Sequence, residues 1–326
     1  MSSVAEVLEK AMVEARAGRP AALCAIVATR GSTPQPAGVI VCVDSAARMT
    51  GTLGGGCVEA EVRRRAHQLL SERRNAVLSF DLDHDFGYDD GMICGGSMDV
   101  AIEVQASNDD LSRLSEAADR LRAGDGATLT LRVDREVAAS VERGPRERVA
   151  YRLHIEPDPK VVIAGAGHIS RILASMLAPL GFHVVVIDDR ADYANRDRFP
   201  TPIEPIAGDM AKTLSAYPID RRTYVVIVTR GHKHDERALT AVLDSPARYV
   251  GMIGSRRKIR VIYGDLKHAG VTDEQLARVH APIGLDIGAV TTDEIALSIA
   301  AEIVSVRRAQ RRPVVEGPLA RPEGEP

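Results

Sequence analysis

Lys160-Val-Val-Ile-Ala-Gly-Ala-Gly-His-Ile-Ser170 reads as a buried strand, a glycine turn and the start of a helix. Its apolar run does not alternate with polar residues, which is the pattern of a strand covered on both faces. The helix continues through Ile172, Leu173, Met176 and Leu177 to Gly181, and residues 184–187 form a second apolar strand that ends at Asp188. Strand, glycine turn, helix and strand at this spacing are the first unit of a dinucleotide-type fold. Ser170 stands where the third fingerprint glycine belongs. It is small enough for helix–strand packing, so the fold reading survives, but the cofactor fingerprint is weakened. Asp188 is placed either to accept from a ribose hydroxyl or to cap the turn that follows.

The same grammar continues downstream. Residues 224–228 predict another parallel strand, and Thr229-Arg-Gly-His-Lys-His-Asp235 lies at its carboxyl end. Ligands of open α/β sheets bind at that end. His232, His234 and Asp235 form a set suited to a metal, a phosphate or proton transfer. The plainer alternative has Asp235 capping the next helix and the histidines on the surface. Arg248-Tyr-Val-Gly-Met-Ile-Gly-Ser255 predicts a further strand and a glycine turn through Gly254, with Ser255 as an N-cap. Arg256, Arg257 and Lys258 then stand at a helix N-terminus, where the macrodipole disfavours cations unless an anion is near. Asp286 sits in the Gly-rich stretch 281–288, and Thr291-Thr-Asp-Glu294 opens a last, apolar helix with Ile295, Ile299, Ile303 and Val306.

The first half has a different character. A helix is expected over residues 3–17, and strands over 21–28, 39–43, 76–80 and 98–104. Residues 127–133, 136–141 and 148–155 suggest a small antiparallel sheet with a turn at Gly144-Pro145. Within this half, Gly51-Thr-Leu-Gly-Gly-Gly-Cys-Val-Glu59 runs from a strand end through Gly54, Gly55 and Gly56, and places Cys57 at a helix start. Three glycines permit positive φ and close approach of a ligand to the backbone. A helix N-terminus offers unpaired N–H groups to an anion and favours a thiolate over a thiol. The stretch is either an anion cradle with a sulfur at its lip or a tight turn with an inert cysteine. Cys94-Gly95-Gly96 echoes it in reverse order, which suggests a shared pocket. The acidic stretch 81–91 lacks the spacing of a calcium loop and reads as solvated.

The resulting fold class is α/β. An N-terminal α+β domain with a mixed sheet (1–155) precedes a C-terminal Rossmann-like, doubly wound parallel-sheet domain (160–310), and the Pro- and Gly-rich 311–326 reads as a disordered tail. The 326 residues carry 45% hydrophobic and 27% charged side chains and a net charge of −3, so no polyanion partner is indicated. No Trp and 3% aromatics argue against a base-stacking nucleic-acid surface. No apolar run is long enough for a membrane span. Cys24, Cys42, Cys57 and Cys94 are too few for a disulfide framework, which points to reduced thiols in a cytoplasm. The apolar last helix and the small first sheet suggest a homodimer.

Seven segments together resemble the XdhC/CoxI family: Gly-Ser-Thr-Pro (31–34), Gly-Thr-Leu-Gly-Gly-Gly-Cys-Val-Glu (51–59), Cys-Gly-Gly (94–96), Gly-Ala-Gly-His (165–168), Arg-Gly-His-Lys-His-Asp (230–235), Gly-Met-Ile-Gly-Ser-Arg-Arg-Lys (251–258) and Pro-Ile-Gly-Leu-Asp-Ile-Gly (282–288). The resemblance spans residues 3 to 308. It implies an accessory chaperone rather than a catalyst. Such proteins bind molybdenum cofactor, assist its sulfuration with a cysteine desulfurase, and deliver it to a xanthine dehydrogenase or carbon monoxide dehydrogenase type hydroxylase. On this reading Gly54–Gly56, Glu59, Gly95, Gly96, Gly165, Gly167, His168, Asp188, His232, His234, Asp235, Gly254, Ser255 and Asp286 contact the cofactor. Cys57 and Cys94 are then metal ligands or sulfur carriers. The competing reading is an NAD(P)-dependent oxidoreductase that uses the Rossmann half.

Overall fold

The computed structural model describes residues 3–82, 96–136, 146–309 and 314–319. It divides into two compact units, Met1–Pro157 with Arg312–Pro326, and Asp158–Arg311.

In the first unit the elements are α1 (Val4–Arg16), β1 (Ala21–Arg30), β2 (Ile40–Val43), β3 (Met49–Thr50), α2 (Gly56–Glu72), β4 (Ala76–Asp81), β5 (Ser97–Gln105), α3 (Asn108–Ala123), β6 (Ala127–Glu136) and β7 (Arg146–Ile155). A five-stranded sheet runs β3-β2-β1-β5-β4. The mixed sheet expected from the sequence is antiparallel in every pairing. The central strand β1 is buried on both faces, which explains its unbroken apolar run. Ala22, Cys24 and Ile26 pack with Val58, Val62 and Ala66 of α2. Leu23, Ala25 and Val27 pack with Leu8 of α1, Leu114 of α3, and Leu129 and Leu131 of β6.

The strand expected over 127–133 extends through residue 136, while 137–145, including Gly144-Pro145, lie outside the described residues. One edge of β6 pairs with β7, and side chains satisfy the other. Glu103 accepts from the Arg132 N–H at 3.0 Å, Asn75 donates to the Arg132 carbonyl at 2.8 Å, and Arg113 donates to the Thr130 carbonyl at 2.7 Å. Glu103 is 3% exposed, and burial pushes its carboxyl up, partly offset by the Arg113 charge.

Residues 314–319 depart from the expected disordered tail. Val315–Leu319 forms a strand, here numbered β14, that pairs antiparallel with β7, and the His154 N–H donates to the Val314 carbonyl at 2.8 Å. Val314 packs where any side chain at Gly38 would stand. Composition shows the prolines and glycines of this segment but not the open β7 edge that receives it.

The second unit contains β8 (Lys160–Ala164), α4 (His168–Leu177), β9 (His183–Asp188), β10 (Glu204–Ala207), α5 (Met210–Ala216), β11 (Thr223–Ile227), α6 (His232–Thr240), β12 (Tyr249–Met252), α7 (Arg256–His268), α8 (Asp273–Ala277), β13 (Val279–His280) and α9 (Thr292–Ala309). Its sheet runs β10-β9-β8-β11-β12-β13, parallel throughout. Val161 and Ile163 face α4 and α9, while Val162 and Ala164 face the layer of α5, α6 and α7. Order reverses between β8 and β11, so the crevice at their carboxyl ends is the topological switch point. The apolarity of α9 is used inside this unit, where Ile299 and Ile303 pack with Leu173 and Leu177 of α4. It therefore gives a homodimer no support. Among the described residues no helix is long and apolar enough to cross a membrane.

Ending the chain at Arg311 should remove β14 and expose the β7 edge. We expect the thermal transition of the first unit to lose about 1–2 kcal/mol of stability while that of the second is unchanged, as read by calorimetry. An unaltered first transition would remove β14 from the account of that unit.

Candidate functional site

The glycine turn of the first unit is built on three consecutive residues with positive φ: Gly54 (+107°), Gly55 (+80°) and Gly56 (+69°). Side chains rarely tolerate one such angle, and three in a row require glycine. At Gly54 packing adds a second reason, because a Cβ would stand 2.5 Å from Cβ of Pro34. Gly55 is the N-cap residue of α2 and faces open space.

The expected anion cradle is already filled by a carboxylate of the chain. Glu59 Oε2 accepts from the Thr52 hydroxyl (2.8 Å), the Leu53 N–H (3.0 Å) and the Gly55 N–H (3.2 Å). Burial pushes the Glu59 carboxyl up, but these donors outweigh it and hold the group below its ordinary range. Among the described residues, the Gly56 and Cys57 N–H groups are left without a partner.

Cys57 is the second residue of α2 and is exposed. Cys24 and Cys42 are buried in the sheet, and burial pushes both thiols up, that of Cys42 to about 12. Cys94 and Gly95 lie outside the described residues, as does most of the acidic stretch. Gly96 is described, and it connects the two cysteine motifs. A Cβ there would collide with the carbonyl oxygens of Ser32 and Arg30, the latter at 2.6 Å. Gly54 and Gly96 thus pack against one loop, residues 30–35. In the sequence that loop is only small and polar, although its Gly-Ser-Thr-Pro segment enters the family resemblance.

In the second unit the candidate residues gather at the carboxyl edge of the parallel sheet. Gly165 has φ +105°, and a Cβ would stand 2.5 Å from the Val228 carbonyl oxygen, so the turn after β8 lies directly on the end of β11. Gly167 and Gly231 are the N-cap residues of α4 and α6, and neither helix has a side-chain cap. His168 and His232, the first residues of these helices, are exposed. Two uncapped helix N-termini on adjacent strands flank the switch-point crevice, an arrangement suited to an anion.

Asp188 does not offer a free carboxylate to a ribose. It is 1% exposed and accepts from the Ala166 N–H (2.8 Å), the Arg190 N–H (3.0 Å), Arg190 Nε (2.8 Å) and an Arg190 terminal nitrogen (2.9 Å). Four donors fill the capacity of a carboxylate. Burial opposes ionisation, yet the Arg190 side chain and the Ala166 N–H bring the carboxyl down to about 2. Arg190 also stacks on the Tyr193 ring at 3.6 Å, and Arg198 lies over the same ring at 4.7 Å while donating to the Ala166 carbonyl at 3.3 Å. These side chains occupy the end of β9, and no motif signals them. Ser170 is 1% exposed within the core, in keeping with its packing role.

Asp235 is fully buried and accepts from the Thr229 hydroxyl (2.6 Å) and N–H (3.2 Å), while Lys258 of α7 pairs with its other oxygen. The carboxylate of the expected His232–His234–Asp235 set is therefore spent on the turn, and no metal-holding cluster occurs among the described residues. Ser255 caps α7 as expected, its hydroxyl accepting from the Lys258 N–H at 3.2 Å, next to Gly254. Asp286 is exposed on the loop after β13, which Glu302 and Ser298 of α9 hold in place.

Residues 14–81 match the description "XdhC and CoxI family", and residues 161–303 match "XdhC Rossmann domain". The chain belongs to the XdhC and CoxI family. Relatives include YqeB of Escherichia coli K12, itself uncharacterized, at 30% identity over 290 residues; these cover 88% of this chain but only 44% of YqeB, so the chain spans less than half of that protein. A Bacillus subtilis protein named as a probable xanthine dehydrogenase subunit is 26% identical over 88% of this chain and 93% of its own. The molybdenum cofactor insertion chaperone PaoD of E. coli K12 is 23% identical over 92% and 88%. A crystal structure described as a xanthine dehydrogenase from Bacillus halodurans shares the fold, with a TM-score of 0.78 at 22% identity over 95% of this chain and 97% of that one. The two matched family segments contain the glycine–cysteine turn and the switch-point crevice, respectively.

In the folded XdhC-type chain, iodoacetamide should label Cys57 and spare Cys24 and Cys42, as read by peptide mass spectrometry. Protection of Cys57 would contradict its exposure.

Asp188 generates a pH prediction. Its carboxyl lies near 2 in the folded state against 3.8 in the unfolded chain, so its stabilisation is present above pH 5 and lost as pH falls toward 2. Asp188→Asn should cost about 2 kcal/mol at pH 7 and flatten the acid limb of urea-denaturation stability. An acid limb identical to that of the parent would refute the clamp.

Proposed function

We propose that this chain binds molybdenum cofactor, takes part in exchanging one of its oxo ligands for sulfide, and hands it to a molybdenum hydroxylase. The observation that carries the reading is the Cys57 thiol, displayed at the mouth of a glycine turn whose inner donors are closed by Glu59. The relatives named as a cofactor insertion chaperone and as part of a probable xanthine dehydrogenase support a cofactor accessory role.

The residues fit such a cargo in kind. A thiolate is a soft ligand suited to the metal–sulfur end, and it is also the group that accepts the outer sulfur of a cysteine desulfurase persulfide. The N–H groups of Gly56 and Cys57, without a partner among the described residues, suit an oxo or sulfido ligand beside that sulfur. The second unit, taken by itself, offers the uncapped starts of α4 and α6, with His168 and His232, which suit an anionic group such as a phosphate. Glu59 acts here as the support of the turn and not as a ligand.

The nicotinamide reading has the strand order in its favour but asks Asp188 to accept from a ribose. That requires displacing Arg190 or the Ala166 N–H from a carboxylate already saturated. Mixing the chain with NADH or NADPH should leave the nicotinamide fluorescence unchanged.

Anaerobic titration with purified molybdenum cofactor tests the lead. Saturable binding is expected for the parent chain, with at least a tenfold loss in Cys57→Ser. Incubation with a cysteine desulfurase and cysteine should add one sulfur to the Cys57 peptide. Failure of the parent chain to bind the cofactor would sink the reading.

A further inference from the structure

The loop after β13 is built like a finger. The Ile283 N–H donates to the Met252 carbonyl at 3.1 Å, which seats the loop's base on the end of β12. The Gly284 N–H donates to Glu302 at 2.7 Å, and Glu302 is itself held by the Tyr249 hydroxyl and by His280. Leu285 is clamped at both backbone groups by Ser298, whose carbonyl accepts its N–H at 3.3 Å and whose hydroxyl donates to its carbonyl at 2.6 Å. Gly284, with φ +99°, leaves no room for a side chain against the Ser298 hydroxyl. At the far end, Glu294 accepts from the Val290 and Thr291 N–H groups at 2.7 and 2.8 Å.

This rigid frame displays aliphatic side chains to solvent. Leu285 is 43% exposed, Ile287 50%, Val290 83%, and Leu297, one residue before the clamping Ser298, 52%. Of the seven large hydrophobics exposed among the described residues, these four fall between residues 285 and 297, and such a grouping marks an interaction surface. Within the loop and the first turns of α9 the charge is of one sign. Residues 282–297 contain Asp286, Asp293 and Glu294 and no Lys or Arg. The finger rises from the carboxyl edge of the sheet, three strand positions from β8, or about 14 Å at the usual strand spacing.

We propose that this finger is the surface on which the cofactor-free recipient enzyme docks, through an apolar groove bordered by basic side chains. The inference rests on the cofactor-insertion reading above. A second copy of the chain is the poorer occupant, because a two-fold contact would bring the acidic rims together. The cluster is also far smaller than the roughly 20–30 residues per side of a standing interface. A small apolar tip in an acidic rim suits fast, salt-sensitive, transient association, which a handover step requires.

The test uses the full chain, Val290→Asp, Leu285→Asp and Asp293→Asn, with a purified molybdenum hydroxylase in its cofactor-free form. Docking is measured by biolayer interferometry at low and physiological salt, with thermal unfolding, cofactor titration and light-scattering mass alongside. The expected result is saturable docking of the parent chain, weakened at least tenfold by Val290→Asp and Leu285→Asp, with unfolding and cofactor binding unchanged. Asp293→Asn should weaken docking a few-fold and flatten its salt dependence. Variants that dock like the parent overturn the proposal, as does absence of docking by the parent. A dimeric parent mass reduced to a monomer by Val290→Asp would assign the finger to a second copy and overturn it as well. Failure of the parent to bind cofactor strikes the function reading instead, and the docking comparison is read independently of it.

Discussion

Four turns in this chain are each held by an internal carboxylate that accepts backbone N–H groups. Glu59 holds the Gly54–Gly56 turn, Asp188 the Gly165–Gly167 turn, Asp235 the turn after β11, and Glu302 the finger after β13. The constraint behind this is general. A turn that leaves a strand end cannot pass its N–H groups to the sheet ladder, and an unpaired buried donor is costly. A carboxylate supplies several acceptor positions at once, and its bonds to N–H groups are charge-assisted. The outward features are thereby left free: a thiol, two helix N-termini and an apolar tip.

Much of this architecture is legible in the sequence because it is periodic. The run 160–164 has no polar alternation, and the strand it predicts is covered on both faces. Ser255 is an N-cap because its hydroxyl stands three residues before the N–H it accepts from, a strictly local relation. Pairing partners are harder to read. The sheet of the first unit is antiparallel rather than mixed, and an apolar strand looks the same in either direction. The strand β14 escapes sequence reading because its partner edge is distant along the chain.

The candidate site is legible at its glycines and misleading at its carboxylates. Their positions in the motifs point Asp188 and Asp235 at a ligand, and both are bonded inward. Their partners lie 22 and 6 residues away, and the decisive cations, Arg190 and Lys258, belong to no motif that ties them to these roles. Glu59 shows the same limit at closer range. The resemblance marks it as a cofactor contact, and only the direction of its side chain shows it closing the turn from behind.

That self-closure narrows what a ligand can be. An anion seeking the Leu53 and Gly55 N–H groups would have to displace a carboxylate bound by three donors, each charge-assisted bond contributing about 1.5–3 kcal/mol. The displaced Glu59 would then stand beside the incoming charge. The group that remains outside the turn is the Cys57 sulfur, which suits a soft, thiophilic centre better than a phosphate. A phosphate is better suited to the second unit, where α4 and α6 begin without side-chain caps among the described residues.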